Sequence, residues 1–340
     1  SDMRVIVDGF GGDNAPVEVL LGCAAAVKEY GVEVLITGKE EELRKVADQH
    51  QILLEKISFA EAPTVISNHD NPTDILKQFS DCSMAVGLKL LAEGKGDAFV
   101  SAGSTGALVV GSTFLVKRIK GVKRAALATV IPTETGCSML LDVGANAECR
   151  SEMLVQFAHM GSFYMEKVQG VANPKVGIIN IGAEESKGLD LQVETYRTLS
   201  QSNLNFSGNI EAREIPAGGC DVLVADGFTG NVVLKLIEGM GKFMSHSLKG
   251  LFKKNALTMV SALFVKNGLA DIKKKMDYTE YGGAPLLGIS RPVIKAHGSS
   301  NAKAFQNAIR QAKRMCDQHM VDTIRAYVES EKAASKEGLE

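Results

Sequence analysis

The chain has 340 residues, and 38 Lys and Arg against 40 Asp and Glu leave a net charge of −2. That length holds one elaborate domain or two, and near-neutral charge argues against broad nucleic-acid binding. With 45% hydrophobic and 23% charged residues the chain is neither disordered nor collagen-like. No uncharged apolar run reaches the roughly 20 residues of a spanning helix. Six Cys without a CxxC pair argue against a disulfide scaffold or a structural zinc site. A reducing, cytoplasmic compartment is expected.

Ser1-Asp2-Met3 reads as a cloning remnant, residues 1–3, and no signal pattern follows. Short β-branched runs then alternate with amphipathic stretches. Arg4–Asp8 reads as a strand, Pro16–Tyr30 as a helix, Val32–Thr37 as a strand, Lys39–Gln49 as a helix and Ile57–Ala60 as a strand. A long helix is expected around Asp74–Ala92, then a strand at Ala98–Ser101 running into a glycine turn and a helix. Ala125–Ile131 and Ser138–Val143 read as a strand pair, followed by helix Ser151–Val168, strand Lys175–Ile181 and helix Leu189–Ser200. Strand Val222–Ala225, helix Asn231–Met244, strand Val293–Ala296 and one long helix Ala302–Val328 close the pattern. Such alternation predicts an α/β fold with a mainly parallel sheet covered on both faces. Residues 4–328 read as a single catalytic domain with a protruding amphipathic helical segment at 248–276, and 329–340 as a frayed tail.

Glycines concentrate just after the predicted strands: Asp8–Asp13, Ser101–Gly106, Asp142–Asn146, Asn180–Gly182, Asp226–Asn231 and His297–Asn301. In open α/β sheets the strand ends line a ligand crevice, and glycine lets backbone N–H groups approach an anion. A βα turn needs glycine anyway, but six loops carrying Ser, Thr, Asn or Asp point to one anion-binding crevice. No segment fits G-x-x-x-x-G-K-[ST], G-x-G-x-x-G after the first strand, G-x-S-x-G or H-E-x-x-H. Asp8, Asp13, Asp142 and Asp226 could ligate a metal only if their strand ends converge; capping of helices is the commoner use of such residues.

Taken in order with Gly182–Gly188 and Gly282–Gly288, these loops resemble the bacterial phosphate acyltransferases, which convert acyl-carrier-protein thioesters and inorganic phosphate into acyl phosphates for phospholipid synthesis. The resemblance runs from the first strand to the last helix. It departs at Gly9-Phe10, where members usually carry a small residue then Met, and at Ser104, where Asn is also common. It implies a three-layer α/β/α sandwich like that of isocitrate and isopropylmalate dehydrogenases and phosphotransacetylases. It also implies a homodimer, no metal and no organic cofactor, and partners on either side of the reaction: acylated carrier protein as donor, a membrane-bound glycerol-3-phosphate acyltransferase downstream.

In such a reaction a phosphate oxygen attacks a thioester carbonyl and expels a thiolate, so the site must place a dianion and stabilise an oxyanion. Gly103, Ser104, Thr105 and Gly106, with Gly144, Asn146 and Ser299, are the candidate phosphate ligands. Lys187, in a glycine-rich loop beside Glu184 and Glu185, is the candidate catalytic cation, although Lys is usually a solvated surface residue. Asn231 could donate to the oxyanion or cap a helix. His297 could take a phosphate proton or bond a phosphate oxygen. Cys137 and Cys149 lie near the third glycine loop, but neither has an adjacent His, so an acyl-enzyme is disfavoured.

Leu248–Met276 combines an apolar stripe with seven Lys against one acid, Asp271. The pattern fits a helix or hairpin lying on an anionic bilayer through Leu251, Phe252, Leu263 and Phe264, with Gly250 and Gly268 as hinges; packing within the protein or across a dimer is the commoner fate of such a stripe. The expected location is therefore cytoplasmic and peripherally membrane-associated. Lys117, Arg118, Lys120, Lys123, Arg124, Arg310, Lys313 and Arg314 are candidates for docking an acidic carrier. Rival readings are acyl transfer from coenzyme A, a decarboxylating dehydrogenase, and a phosphate or sugar-phosphate sensor without turnover.

Overall fold

The computed structural model describes residues 2–339. Its strands are β1 (Arg4–Asp8), β2 (Glu33–Gly38), β3 (Ile57–Glu61), β4 (Ala98–Ser101), β5 (Ala126–Thr133), β6 (Gly136–Leu141), β7 (Lys175–Asn180), β8 (Asn205–Glu211), β9 (Val222–Val224), β10 (Ala284–Leu287) and β11 (Val293–Lys295). The α-helices are α1 (Val17–Tyr30), α2 (Glu40–Gln49), α3 (Ser83–Ala92), α4 (Thr105–Gly111), α5 (Ser151–Lys167), α6 (Asp190–Ser200), α7 (Gly227–Phe252), α8 (Ala256–Lys275), α9 (Ala302–Asp317) and α10 (Met320–Glu337).

The strands form one sheet in the order β3-β2-β1-β4-β11-β10-β5-β6-β9-β7-β8. Alternation along each strand feeds both faces. Val5 and Val7 enter a core with α1, α2, α5, α6, α9 and α10, while Ile6 enters a second core with α3, α4 and the start of α7. This is the expected α/β layering. Seven neighbouring pairs are parallel. The antiparallel pairs β11–β10, β10–β5 and β5–β6 sit together in the middle and reverse the sheet. As a result β1 to β4 and β11 end at one edge, whereas β6 to β9 end at the opposite edge. A single crevice lined by all the glycine loops is therefore not what one chain builds.

Several element boundaries differ from the sequence expectation for local reasons. The stretch 74–92 is not one helix: Asn71 Oδ1 caps a 3-10 turn at Pro72–Leu76, and α3 starts anew where Cys82 Sγ accepts Ala85 N–H. The stretch 302–328 breaks at Gln318-His319, with His319 at φ 51°. Beyond it Met320, Ile324 and Val328 bury one face of α10, which carries the helix through the expected frayed tail to Glu337. Strands β8 and β10 were not predicted, and α7 runs well past Met244. Gly250 and Gly268 lie inside helices, so neither is a hinge. The hairpin turns instead at Lys253–Asn255, where Asn255 and Thr258 cap α8 reciprocally. No residue of α8 is buried.

Candidate active site

At the first edge, loops distant in sequence are tied together. Asp13 N–H donates to the Gly298 carbonyl at 2.7 Å, and the Asn14 side chain donates to the Ser299 carbonyl at 3.1 Å. Beneath them Ser101 Oγ donates to Asp8 Oδ2 at 2.7 Å and accepts Gly103 N–H at 3.0 Å. Ser104 accepts Ala107 N–H and so caps α4, which leaves its hydroxyl proton to donate elsewhere. Ser299 N–H donates to His297 Nδ1 at 3.2 Å, with Ser299 Oγ 2.7 Å from the same nitrogen. A backbone N–H can only donate, so Nδ1 is an acceptor and the neutral ring carries its proton on Nε2. Nδ1 is thereby engaged by Ser299 and is not the atom that would take a proton. Asn301, not Ser299 or Ser300, caps α9.

Sequence reasoning missed Lys295 at the end of β11. Burial pushes its ammonium down to about 8, while Asp8 and Asp13 oppose the shift. A lysine closing a buried strand beside the His297 glycine turn was the available signal.

At the second edge Asp142 is fully buried and organises the third glycine loop. Its carboxylate accepts from the backbone N–H of Leu127, Gly144, Ala145 and Asn146 and from the Asn146 side chain, at 2.6–3.3 Å. Desolvation raises its pKa, and those hydrogen bonds hold it back. The amides of Gly144 and Asn146, expected to bind phosphate, are therefore already committed, and so is that of Gly103. Asn231 donates to the Val143 carbonyl at 2.9 Å. It ties loop to loop, and the cap of α7 is Asp226, which accepts from Thr229. Gly230 is obligatory here, because a Cβ would lie 1.9 Å from the Asp142 carbonyl oxygen. Lys187 is exposed on the loop after β7, where its carbonyl accepts the Asn180 side chain and its stem lies against Gly182.

The chain thus gathers Lys187, Asn231, Gly144 and Asn146 at one edge, and Gly103–Gly106, His297 and Ser299 at the other. Asp8 and Asp13 are likewise separated from Asp142 and Asp226, so the four do not converge on a metal. No group of three or more metal-type side chains is found among the described residues. Burial raises the thiols of Cys137 and Cys149, the latter to about 11, so neither is a ready nucleophile near neutrality.

On the hairpin, Leu251, Leu263 and Phe264 are exposed and Phe252 is half-buried. Leu257, absent from the sequence expectation, is exposed next to the turn. Along α7 an apolar stripe at Phe228, Val232, Leu236, Met240 and Phe243 is at least half exposed over its whole length. Arg310 and Arg314 meet Lys274 and Lys275 around a cleft of about 510 Å³ that also holds Asp271 and Glu280. Arg118 instead folds back onto the carbonyls of Val122 and Lys123. No helix among the described residues is long and apolar enough to cross a membrane.

A family model described as fatty acid synthesis protein matches residues 3–323. Phosphate acyltransferase of Alkaliphilus oremlandii is 46% identical over 328 residues, covering 96% of this chain and 98% of that one. Its counterpart in Thermoanaerobacterium thermosaccharolyticum is 45% identical over 327 residues, covering 96% and 97%. Among solved structures, a phosphotransacetylase from Streptococcus pyogenes superposes with a TM-score of 0.65 at 15% identity, over 93% of this chain and 94% of that one. A phosphotransacetylase from Staphylococcus aureus gives 0.60 at 17% identity, over 92% and 94%. These two likenesses concern the fold.

Proposed function

Because this chain belongs to the fatty acid synthesis protein family and is a phosphate acyltransferase, we propose that its acyl donor is a carrier-protein thioester. Inorganic phosphate is received at the first edge. The observation that carries this placement is the joining of the first and last glycine loops, Asp13 to Gly298 and Asn14 to Ser299, around Ser104 and the His297–Ser299 pair. There the Ser104 hydroxyl presents a donor to an anion, beside the His297–Ser299 pair. A phosphate oxygen forms a bond to the thioester carbon, and the carbon–sulfur bond breaks with its electron pair leaving on sulfur. Thiolates leave readily, so the protein's task is placement and charge stabilisation.

The cleft between α8 and α9, with four cations against two acids, supports docking of an acidic carrier. The stripe on α7 supports a homodimer, since a monomer rarely leaves so long an apolar face in water. It begins at Phe228, three residues before Asn231. A second copy seated on it would border the second-edge loops, the route by which Lys187 and Asn231 could serve a neighbour's reaction. The turn of the hairpin, with Leu251 and Leu257 among Lys249, Lys253 and Lys254, supports reversible contact with an anionic membrane, where a membrane-bound acyltransferase would consume the product. On this reading the protein is cytoplasmic and peripherally membrane-associated.

Phosphate-dependent loss of acyl thioester, measured with acyl carrier protein and with acyl coenzyme A, tests the donor. Faster turnover of the carrier-bound substrate is expected. A preference for coenzyme A would replace the carrier reading, and no turnover of either would favour a sensor.

A further inference from the structure

We propose that Lys295 is the cation that receives the incoming phosphate, a reading that rests on the first edge being the phosphate site. Asp8, Ser101 and Lys295 close three adjacent parallel strands. Lys295 is the register partner of Ser101, and Asp8 follows Val7, the partner of Val100. Residues paired in register share a face. Ile6, Phe99 and Val293, two positions earlier on the same strands, all enter the core with α3 and α4. The three polar side chains therefore form a row on that face, at the foot of the glycine turns.

Within the row the two carboxylate oxygens of Asp8 are already in use, one accepting Phe10 N–H and the other Ser101 Oγ–H. Lys295 is different. Its ammonium donates to the Ala296 carbonyl, and no carboxylate among the described residues forms an ion pair with it. A desolvated ammonium with donors to spare is costly unless something completes its shell. A structural ion pair would show a carboxylate in contact, and this site does not. The depressed pKa agrees with an incompletely paired cation. Lysine is a point charge suited to phosphate. Placed here it would offset the repulsion between a phosphate dianion and the Asp8 and Asp13 carboxylates, and hold the attacking oxygen without giving up or gaining a proton.

The test compares wild type, Lys295→Met and Lys295→Arg in phosphate-dependent thioester loss. In Lys295→Met the KM for phosphate should rise about tenfold or more while the KM for the acyl donor stays unchanged, with partial recovery in Lys295→Arg. An unchanged phosphate KM in Lys295→Met overturns the assignment, as does a rise confined to Lys187→Ala. If wild type shows no phosphate-dependent loss, the functional reading fails instead. If Lys295→Met does not fold, wild type labelled with carbon-13 at the lysine ε positions answers the same question. One lysine signal should titrate near pH 8, facing Asp8 and Asp13 with His297 two residues beyond, and shift on addition of inorganic phosphate. No shift overturns the proposal.

Discussion

The Asp142 carboxylate accepts the backbone N–H of Asn146 at 2.6 Å, and this short bond closes the third glycine loop onto a buried charge. Asp142 is a structural organiser rather than a ligand. Asp142→Asn, which keeps the shape but loses acceptor capacity, should lower stability by about 3 kcal/mol, the cost of weakening several charged hydrogen bonds at once. Urea unfolding measures it. A loss within about 0.5 kcal/mol, the scatter of an ordinary surface change, would mean the loop holds itself.

Acid stability should depend on His159. The ring is buried and stacked on Tyr327 at a centroid distance of 4.3 Å, and burial lowers its pKa to about 4 from 6.5. The unfolded chain therefore binds the proton first. The stability is complete above pH 6.5 and is lost as pH falls towards 4, by up to about 3 kcal/mol. His159→Phe should flatten that part of the stability–pH curve relative to wild type. Parallel curves would show that another group governs it.

Cys137→Ala and Cys149→Ala should keep turnover within about twofold, because thiols raised by burial supply little thiolate at neutral pH. Loss of activity in a folded variant would restore the acyl-enzyme route. Rapid-quench mass spectrometry on wild type, looking for an acylated cysteine, is the direct check.

The exposed stripe of α7 should govern assembly. Leu236→Glu combined with Met240→Glu places two carboxylates on it and should convert a dimer to monomers in sedimentation analysis. A double variant that still sediments as a dimer assigns the interface elsewhere.

The hairpin turn should govern membrane contact separately. Leu251→Glu with Leu257→Glu should abolish sedimentation with anionic vesicles while soluble turnover persists. The KM for carrier protein should rise with salt, since screening shortens to about 10 Å at 0.1 M. A salt-independent KM would count against the basic cleft.

Much of this protein was legible in its sequence. Alternating β-branched runs and amphipathic stretches report burial directly, because a strand or helix must hide one periodic face. Thus β1, β4 and β7 and the α/β class could be read locally, and the ordered glycine loops carried the resemblance to phosphate acyltransferases. Two strands escaped because they carry little pattern: β8 is polar for much of its length, and β10 has four residues. What no local pattern encodes is strand direction. The antiparallel β5–β6 pair reverses the half of the sheet that follows it, so loops of similar composition end at opposite edges. Only tertiary structure could decide that Gly144 and Asn146 spend their amides on Asp142, or that Lys295 lies beside Ser101 and Asp8. The Lys295 outcome depends on residues that meet across some 90 to 290 positions of chain, and hydrogen-bond and charge balance are settled only where the partners meet.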